Sequence, residues 1–174
     1  MQPVNAPHQI VDRPPAIAVI AGITVGKTAI QGFEKLHGKG RVMTGGHPNG
    51  ARQWYEETAG VLIDADGFNY APDGEVIDTL VVTWQPANEV DRRVPRIKLR
   101  PADLGLLTRL KKGMVEAQIE QSLGTKLKSG SAVGTGLIRF GHQLGNKEND
   151  RFTKWEAVFT AGKSGLESIR IVGD

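Results

Sequence analysis

Cysteine is missing from the sequence, and with it go disulfide bridges, thiolate metal sites and thiol redox chemistry. Long apolar runs are missing too, so no transmembrane segment is expected. Neither sign of charge dominates: 22 Lys and Arg face 19 Asp and Glu, a formal net charge of +3. The densest basic stretch, 92–100, alternates with apolar residues instead of forming a Lys/Arg block. Nucleic acid requires a concentrated positive footprint, and none is expected as a partner. Residues 1–15 are rich in Pro and Asn and carry no hydrophobic signal region. That fits either a cytosolic protein or a mature chain whose signal precedes it.

What is present describes a folded protein. The 174 residues, 39% apolar and 24% charged, suffice for one domain or two small ones with a real core. The 22 glycines are roughly twice an average supply and predict many turns.

The later part of the chain carries the clearer pattern. Leu104, Leu107 and Leu110 recur at helical spacing after Pro101, which suits a first-turn position. Lys111, Lys112 and Gly113 read as the end of that helix. Val115, Ile119 and Leu123 share one face of a second helix that Gly124 stops. Strand-like runs follow at 137–140, 152–160 and 166–172, with Ile169 and Ile171 alternating against polar neighbours.

The earlier part repeats this order. Thr28 with Gln31 reads as a capping box opening a helix that carries Ile30, Phe33 and Leu36, closed by Gly38 and Gly40. Strand-like runs follow at 52–57, 61–65 and 76–84, with turns expected at Asp66-Gly67 and Pro72-Asp73-Gly74. Ile77 to Val82 lies over Leu166 to Ile171, and a shift of 86 to 89 residues brings helix ends and last strands into register. The expected organisation is an extension at 1–15, a first α/β repeat at 16–84, a polar Pro-bearing linker at 85–100 and a second repeat at 101–174.

Lys112-Gly113-Met114-Val115-Glu116-Ala117-Gln118-Ile119, with Leu123-Gly124 behind it, resembles the Gly-Met-Thr helix motif of two bacterial groups. These are the β-lactamase-inhibitory protein family and the small outer-membrane assembly lipoproteins. Gly22-Ile23-Thr24 echoes the same opening in the first half, with five extra residues between Gly22 and Gly38. Trp155 to Phe159 and Leu166 to Ile169 fit the strands that follow the motif. The resemblance implies an α+β fold of two similar units, each a helix-loop-helix packed on an antiparallel sheet. It also implies an exported, periplasmic or envelope-associated protein that binds a partner without catalysis, or an envelope lipoprotein with a structural role.

One motif points elsewhere. Ala21-Gly22-Ile23-Thr24-Val25-Gly26-Lys27-Thr28 satisfies a relaxed phosphate-binding loop, in which Gly26, Lys27 and Thr28 would hold a nucleotide and its Mg²⁺, with Asp64 on the metal-binding strand. The alternative to a binding protein is therefore a nucleotide-binding enzyme. Against it stands the rest of the chain, which offers short strands and turns where such a domain needs long crossover helices. Asp64, Asp66 and Glu75 match a calcium-loop count only in part, since Asn69 stands where Gly is required. His8, His37, His47 and His142 have no partner at metal spacing. No catalytic residue, metal or cofactor is expected. The aromatic residues Trp54, Tyr55, Trp84, Phe140 and Trp155 all fall in expected strands. Trp54 and Tyr55 are adjacent, so alternation sends one of them to the open face of the sheet. The expected site for a protein or peptide partner is that ring, with Arg52 and the loop carrying His47 and Asn49 beside it.

Overall fold

Period-two alternation and glycine punctuation build most of the molecule. The computed structural model describes residues 19–43, 51–71, 74–124, 128–129, 137–145, 152–162 and 165–173, with side chains described for 19–43, 51–67, 75–124 and 165–172. In chain order the elements are β1 (Val19–Ile20), β2 (Ile23–Thr24), α1 (Ile30–His37), β3 (Arg41–Val42), β4 (Arg52–Glu56), β5 (Val61–Ala71) and β6 (Gly74–Trp84). After them come β7 (Arg96–Ile97), α2 (Pro101–Leu104), α3 (Glu116–Leu123), β8 (Lys128–Ser129), β9 (Leu137–Gly145), β10 (Phe152–Gly162) and β11 (Gly165–Gly173). The fold is α+β. Six long strands run in the order β4-β5-β6-β11-β10-β9, the two-residue β3 and β8 extend the ends, and β7 lies beside β4. Every pairing is antiparallel except β4 with β7. Among the described residues no helix is long and apolar enough to cross a membrane.

The two meanders meet through their last strands. β6 and β11 pair from Thr83 opposite Ser168 to Thr79 opposite Val172. Each strand overhangs the other by a few residues, and each overhang is closed by the loop that precedes a helix. Ile77 accepts from the Gly26 N–H (2.7 Å) and donates to the Thr28 carbonyl (2.9 Å). Leu166 accepts from the Gly113 N–H and donates to the Met114 carbonyl, both at 2.9 Å. These bonds satisfy main-chain groups that an open edge would leave unpaired. A bulge sits at each clamp: Asp66 and Gly67 oppose Thr79 and Ile77, passing over Asp78, while Thr160 and Ala161 oppose Ser168 and Leu166, passing over Glu167. The bulge resets the alternation. Buried positions therefore run Ile77, Leu80, Val82 in β6 and Leu166, Ile169, Ile171 in β11.

The core lies on one face of this sheet. Trp54, Ile63, Leu80, Val82, Ile169 and Ile171 supply it from the strands. The β1–β2 hairpin, α1, α2, the 3₁₀ turn Leu106–Thr108 and α3 cover it with Ile20, Ile23, Ile30, Phe33, Leu104, Leu107 and Ile119. Burying one such Leu, Ile or Phe is worth about 1.5–3 kcal/mol, so this one contiguous cluster is the main stabilising element. α3 begins after Val115, which is expected on its buried face but instead caps it and is exposed. Gln118 Oε1 accepts from the Val115 N–H (3.0 Å), and the helix ends at Gly124 in the left-handed region.

Several sequence expectations are corrected. A helix-loop-helix occurs only after residue 100; the first half opens with the β1–β2 hairpin instead. Even in the second half, the run from Leu104 to Leu110 breaks at Gly105, whose φ of 56° ends α2 and lets it bridge to Ile20. The Thr28 capping box does not form. Thr28 Oγ1 accepts from the Thr24 N–H (2.8 Å), Gln31 Oε1 accepts from the Glu75 N–H (3.0 Å), and α1 starts one residue later than a Thr28 cap requires. Leu36 is 78% exposed, because His37 takes the place on Phe33, with ring centres 4.5 Å apart. Asp66-Gly67 is a bulge within β5, not a turn. The segment 85–100 is no free linker: it buries Val90, Val94, Ile97 and Leu99.

Gly165 tests the clamp. Its φ is +87°, and an added Cβ would overlap the carbonyl group of Gly113, the residue whose N–H makes the clamp bond to Leu166. Gly124 has φ +67° but nothing within 4 Å of such an atom. Gly124→Ala is expected to cost about 1 kcal/mol of stability, the ordinary left-handed penalty. Gly165→Ala is expected to cost at least about 2 kcal/mol more, since main chain must move. Urea midpoints of the two variants, compared at equal slope, provide the check.

Candidate functional site

Alternation does send Trp54 and Tyr55 to opposite faces, but both are buried, at 0% and 3% exposure. Trp54 lies in the core, edge-on to Phe33 at 4.9 Å, its indole N–H donating to the Gly38 carbonyl (3.0 Å). Tyr55 lies on the other face, where segment 85–94 roofs it with Val90 and Val94. Its hydroxyl donates to the Gln85 carbonyl (3.0 Å), and the Arg96 guanidinium sits 4.9 Å from the ring centre. Neither ring is available to a partner, which corrects the expected anchor. Arg52 is half-buried and serves the fold: its Nε bonds Glu34 Oε1 at 2.9 Å, tying β4 to α1. His47 and Asn49 lie outside the described residues. Phe140 and Trp155 fall in β9 and β10 as expected, and their side chains lie outside the described residues as well.

The phosphate-loop geometry is also absent at residues 26–28. The Gly26 N–H is committed to Ile77, while the Lys27 and Thr28 N–H groups donate to the Thr24 carbonyl at 3.0 and 2.9 Å. A phosphate cradle needs those amides converging and unbonded. Asp64, the expected metal partner, alternates with buried Ile63 and Ala65 and so stands on the opposite face from α1. The same alternation separates Asp64 and Asp66 from the buried Glu75, dismissing the calcium loop. Among the described residues no three His, Asp or Glu side chains converge.

The most deeply buried charge among the described residues holds structure together. Glu56, fully buried, accepts from the Ala59 N–H through one carboxylate oxygen (2.6 Å) and from the Leu99 N–H through the other (3.0 Å). It thereby pins the end of segment 85–100 to β4. Charge-assisted bonds of this kind are short and strong.

What remains is the sheet face away from the core. Cross-strand pairing arranges it in rows, Gln53-Asp64-Val81-Arg170 and Leu62-Thr83-Ser168, with Asp66-Thr79-Val172 beyond. Most of these side chains are half-buried and Arg170 is exposed. Asp64 is the chemically distinctive member. Burial raises its pKa above the ordinary 3.8, and the bond from the Gln53 amide (2.7 Å) offsets this only in part. The signal for these positions was present in the strand alternation, but the bulge at Asp78 hides the phase of β6 from a simple count. Comparison with known proteins gives no matching family model, no matching characterised protein and no matching solved structure.

The raised pKa has a sign that can be measured. Below 3.8 Asp64 is protonated in folded and unfolded chains alike and costs nothing. As pH rises past that value the unfolded chain ionises first, so stability falls until the folded carboxyl ionises too. Asp64→Asn keeps an acceptor for Gln53 and removes the charge. Thermal melts should show a higher Tm for the variant at pH 7 and no gain at about pH 3; a loss at pH 7 would mean the charge is stabilising.

Proposed function

We propose that this is a non-catalytic binding protein of two repeated α/β units that recognises a protein or peptide partner through the face opposite its core. Support for the repeat comes from the clamps. Gly26 and Gly113 make the same bond to the same bulge position, Phe33 and Ile119 are the buried residues of equivalent helical turns, and Gly38 and Gly124 follow the two helices. The equivalence runs Gly26-Lys27-Thr28 against Gly113-Met114-Val115, not through Gly22. That change removes nearly all of the extra residues in the first half, since Gly26 to Gly38 spans 12 positions and Gly113 to Gly124 spans 11. An exported or envelope location rests on the resemblance of residues 112–124 to the β-lactamase-inhibitory and outer-membrane assembly groups.

The observation that carries the binding role is the row from Gln53 to Arg170. It sets Val81 between the opposed charges of Asp64 and Arg170 across β4, β5, β6 and β11, a mixture suited to a partner's polar and apolar groups together. The buried Glu56 and the half-buried Glu34–Arg52 pair are engaged in holding elements together, which favours recognition over catalysis.

The test compares proteins captured from envelope fractions by wild type, by Val81→Lys with Ser168→Lys, and by Glu116→Lys on the exposed side of α3. A partner held by the wild type and the α3 variant should be lost, by about tenfold or more, from the doubly substituted face. Equal capture by all three, with unchanged circular dichroism, overturns the assignment of this face.

A further inference from the structure

The edge formed by β7 has a chemistry of its own. In residues 95–99 the main chain alternates. The Pro95 and Ile97 carbonyls accept from the Tyr55 and Glu57 N–H groups of β4 and the turn after it, and the Leu99 N–H donates to Glu56. Parallel pairing of β7 with β4 therefore uses the odd-numbered residues. The peptide groups of Arg96 and Lys98 point the other way, and neither makes a main-chain hydrogen bond among the described residues. Side chains alternate in step: Ile97 and Leu99 enter the core, while Arg96, Lys98 and Arg100 are all exposed. An extended strand advances about 3.3 Å per residue, so these cations recur about every 6–7 Å along one side.

We propose that this edge accepts an extended acidic segment of a partner protein, which adds as a strand beside β7 with Asp or Glu at alternate positions. The unpaired N–H and C=O groups of Arg96 and Lys98 supply the main-chain bonds of such an addition. The cationic row supplies the choice of partner. Two copies of this chain brought edge to edge would set like charges against each other, so the edge resists self-pairing while it attracts an acidic strand. Arg96 is preplaced by its stacking on Tyr55 and its bonds to the Ala87 and Val90 carbonyls (3.3 and 3.5 Å). Arg100 is shared with Asp103 (2.7 Å), whereas Lys98 forms no ion pair among the described residues. Lys98 is thus the central recognition charge. The edge uses none of the residues of the Gln53–Arg170 rows, and either site can fail without the other.

The probe is a short fluorescein-labelled peptide with Glu at alternate positions and Val and Thr between them, titrated into the whole protein and followed by anisotropy. Three companions are a peptide N-methylated on the amides that would face β7, a scrambled peptide with its Glu residues adjacent, and a single-stranded oligonucleotide of similar charge. Saturable binding of the alternating peptide is expected, weakened about tenfold or more by N-methylation, by Lys98→Glu and by scrambling. The amides of Arg96 and Lys98 should gain protection from hydrogen exchange when the peptide is bound, while Val81→Lys leaves its affinity unchanged. Equal affinity for the methylated or scrambled peptide would show simple charge attraction and overturn the strand addition. Tighter binding of the oligonucleotide would overturn the choice of partner, and absence of saturable binding would overturn both.

Discussion

Four main-chain hydrogen bonds determine how the rest of the molecule is arranged. They join Gly26 and Thr28 to Ile77, and Gly113 and Met114 to Leu166. Each pair fixes the loop before a helix to the overhanging end of a last strand. The helix then has only one place to lie, across the face where Ile77, Leu80 and Val82, or Leu166, Ile169 and Ile171, are already directed by the bulge. Without the clamps both overhangs would present unpaired strand edges, and an exposed edge invites pairing with other chains. Closure of the core and protection of the sheet thus both follow from the two clamps.

The second constraint is the burial of Glu56. A carboxylate without solvent is costly unless its oxygens are bonded, and both oxygens of Glu56 are. The amides that satisfy it come from Ala59, three residues away, and Leu99, 43 residues away. That long-range bond converts the connection between the halves into a packed part of the first half. Val90 and Val94 then roof Tyr55, and β7 takes its place beside β4. The aromatic ring that alternation turns away from the core is consumed by the fold. The same event creates an edge whose peptide groups at Arg96 and Lys98 face outward.

The exposed chemistry is accordingly displaced from where the aromatic residues suggest it. Partner recognition is proposed to use the rows around Asp64, Val81 and Arg170, and the cationic edge of β7. Neither surface needs a large exposed ring, and neither uses residues 26–28, whose amides bond Ile77 and Thr24. A phosphate loop would need the N–H groups of residues 26–28 free, but the clamp holds that of Gly26 and the turn at Thr24 holds those of Lys27 and Thr28.

Local pattern determined much of this protein by itself. Alternation set the positions of the long strands, Pro101 began α2, and Gly124 stopped α3, because strand period, a fixed φ and a left-handed cap are properties of a few consecutive residues. Adjacent Trp54 and Tyr55 had to face opposite ways for the same reason. Only the tertiary structure decided which faces and edges stay open. Alternation assigns a residue to a side but does not say what lies on that side; the roof over Tyr55 comes from residues 85–94, and its anchor is the Glu56–Leu99 bond. The bulges at Asp78 and Glu167 likewise depend on partners in other strands. Each shifts the phase of burial by one residue, so Val81 and Arg170 emerge on the accessible face only once the strands are paired.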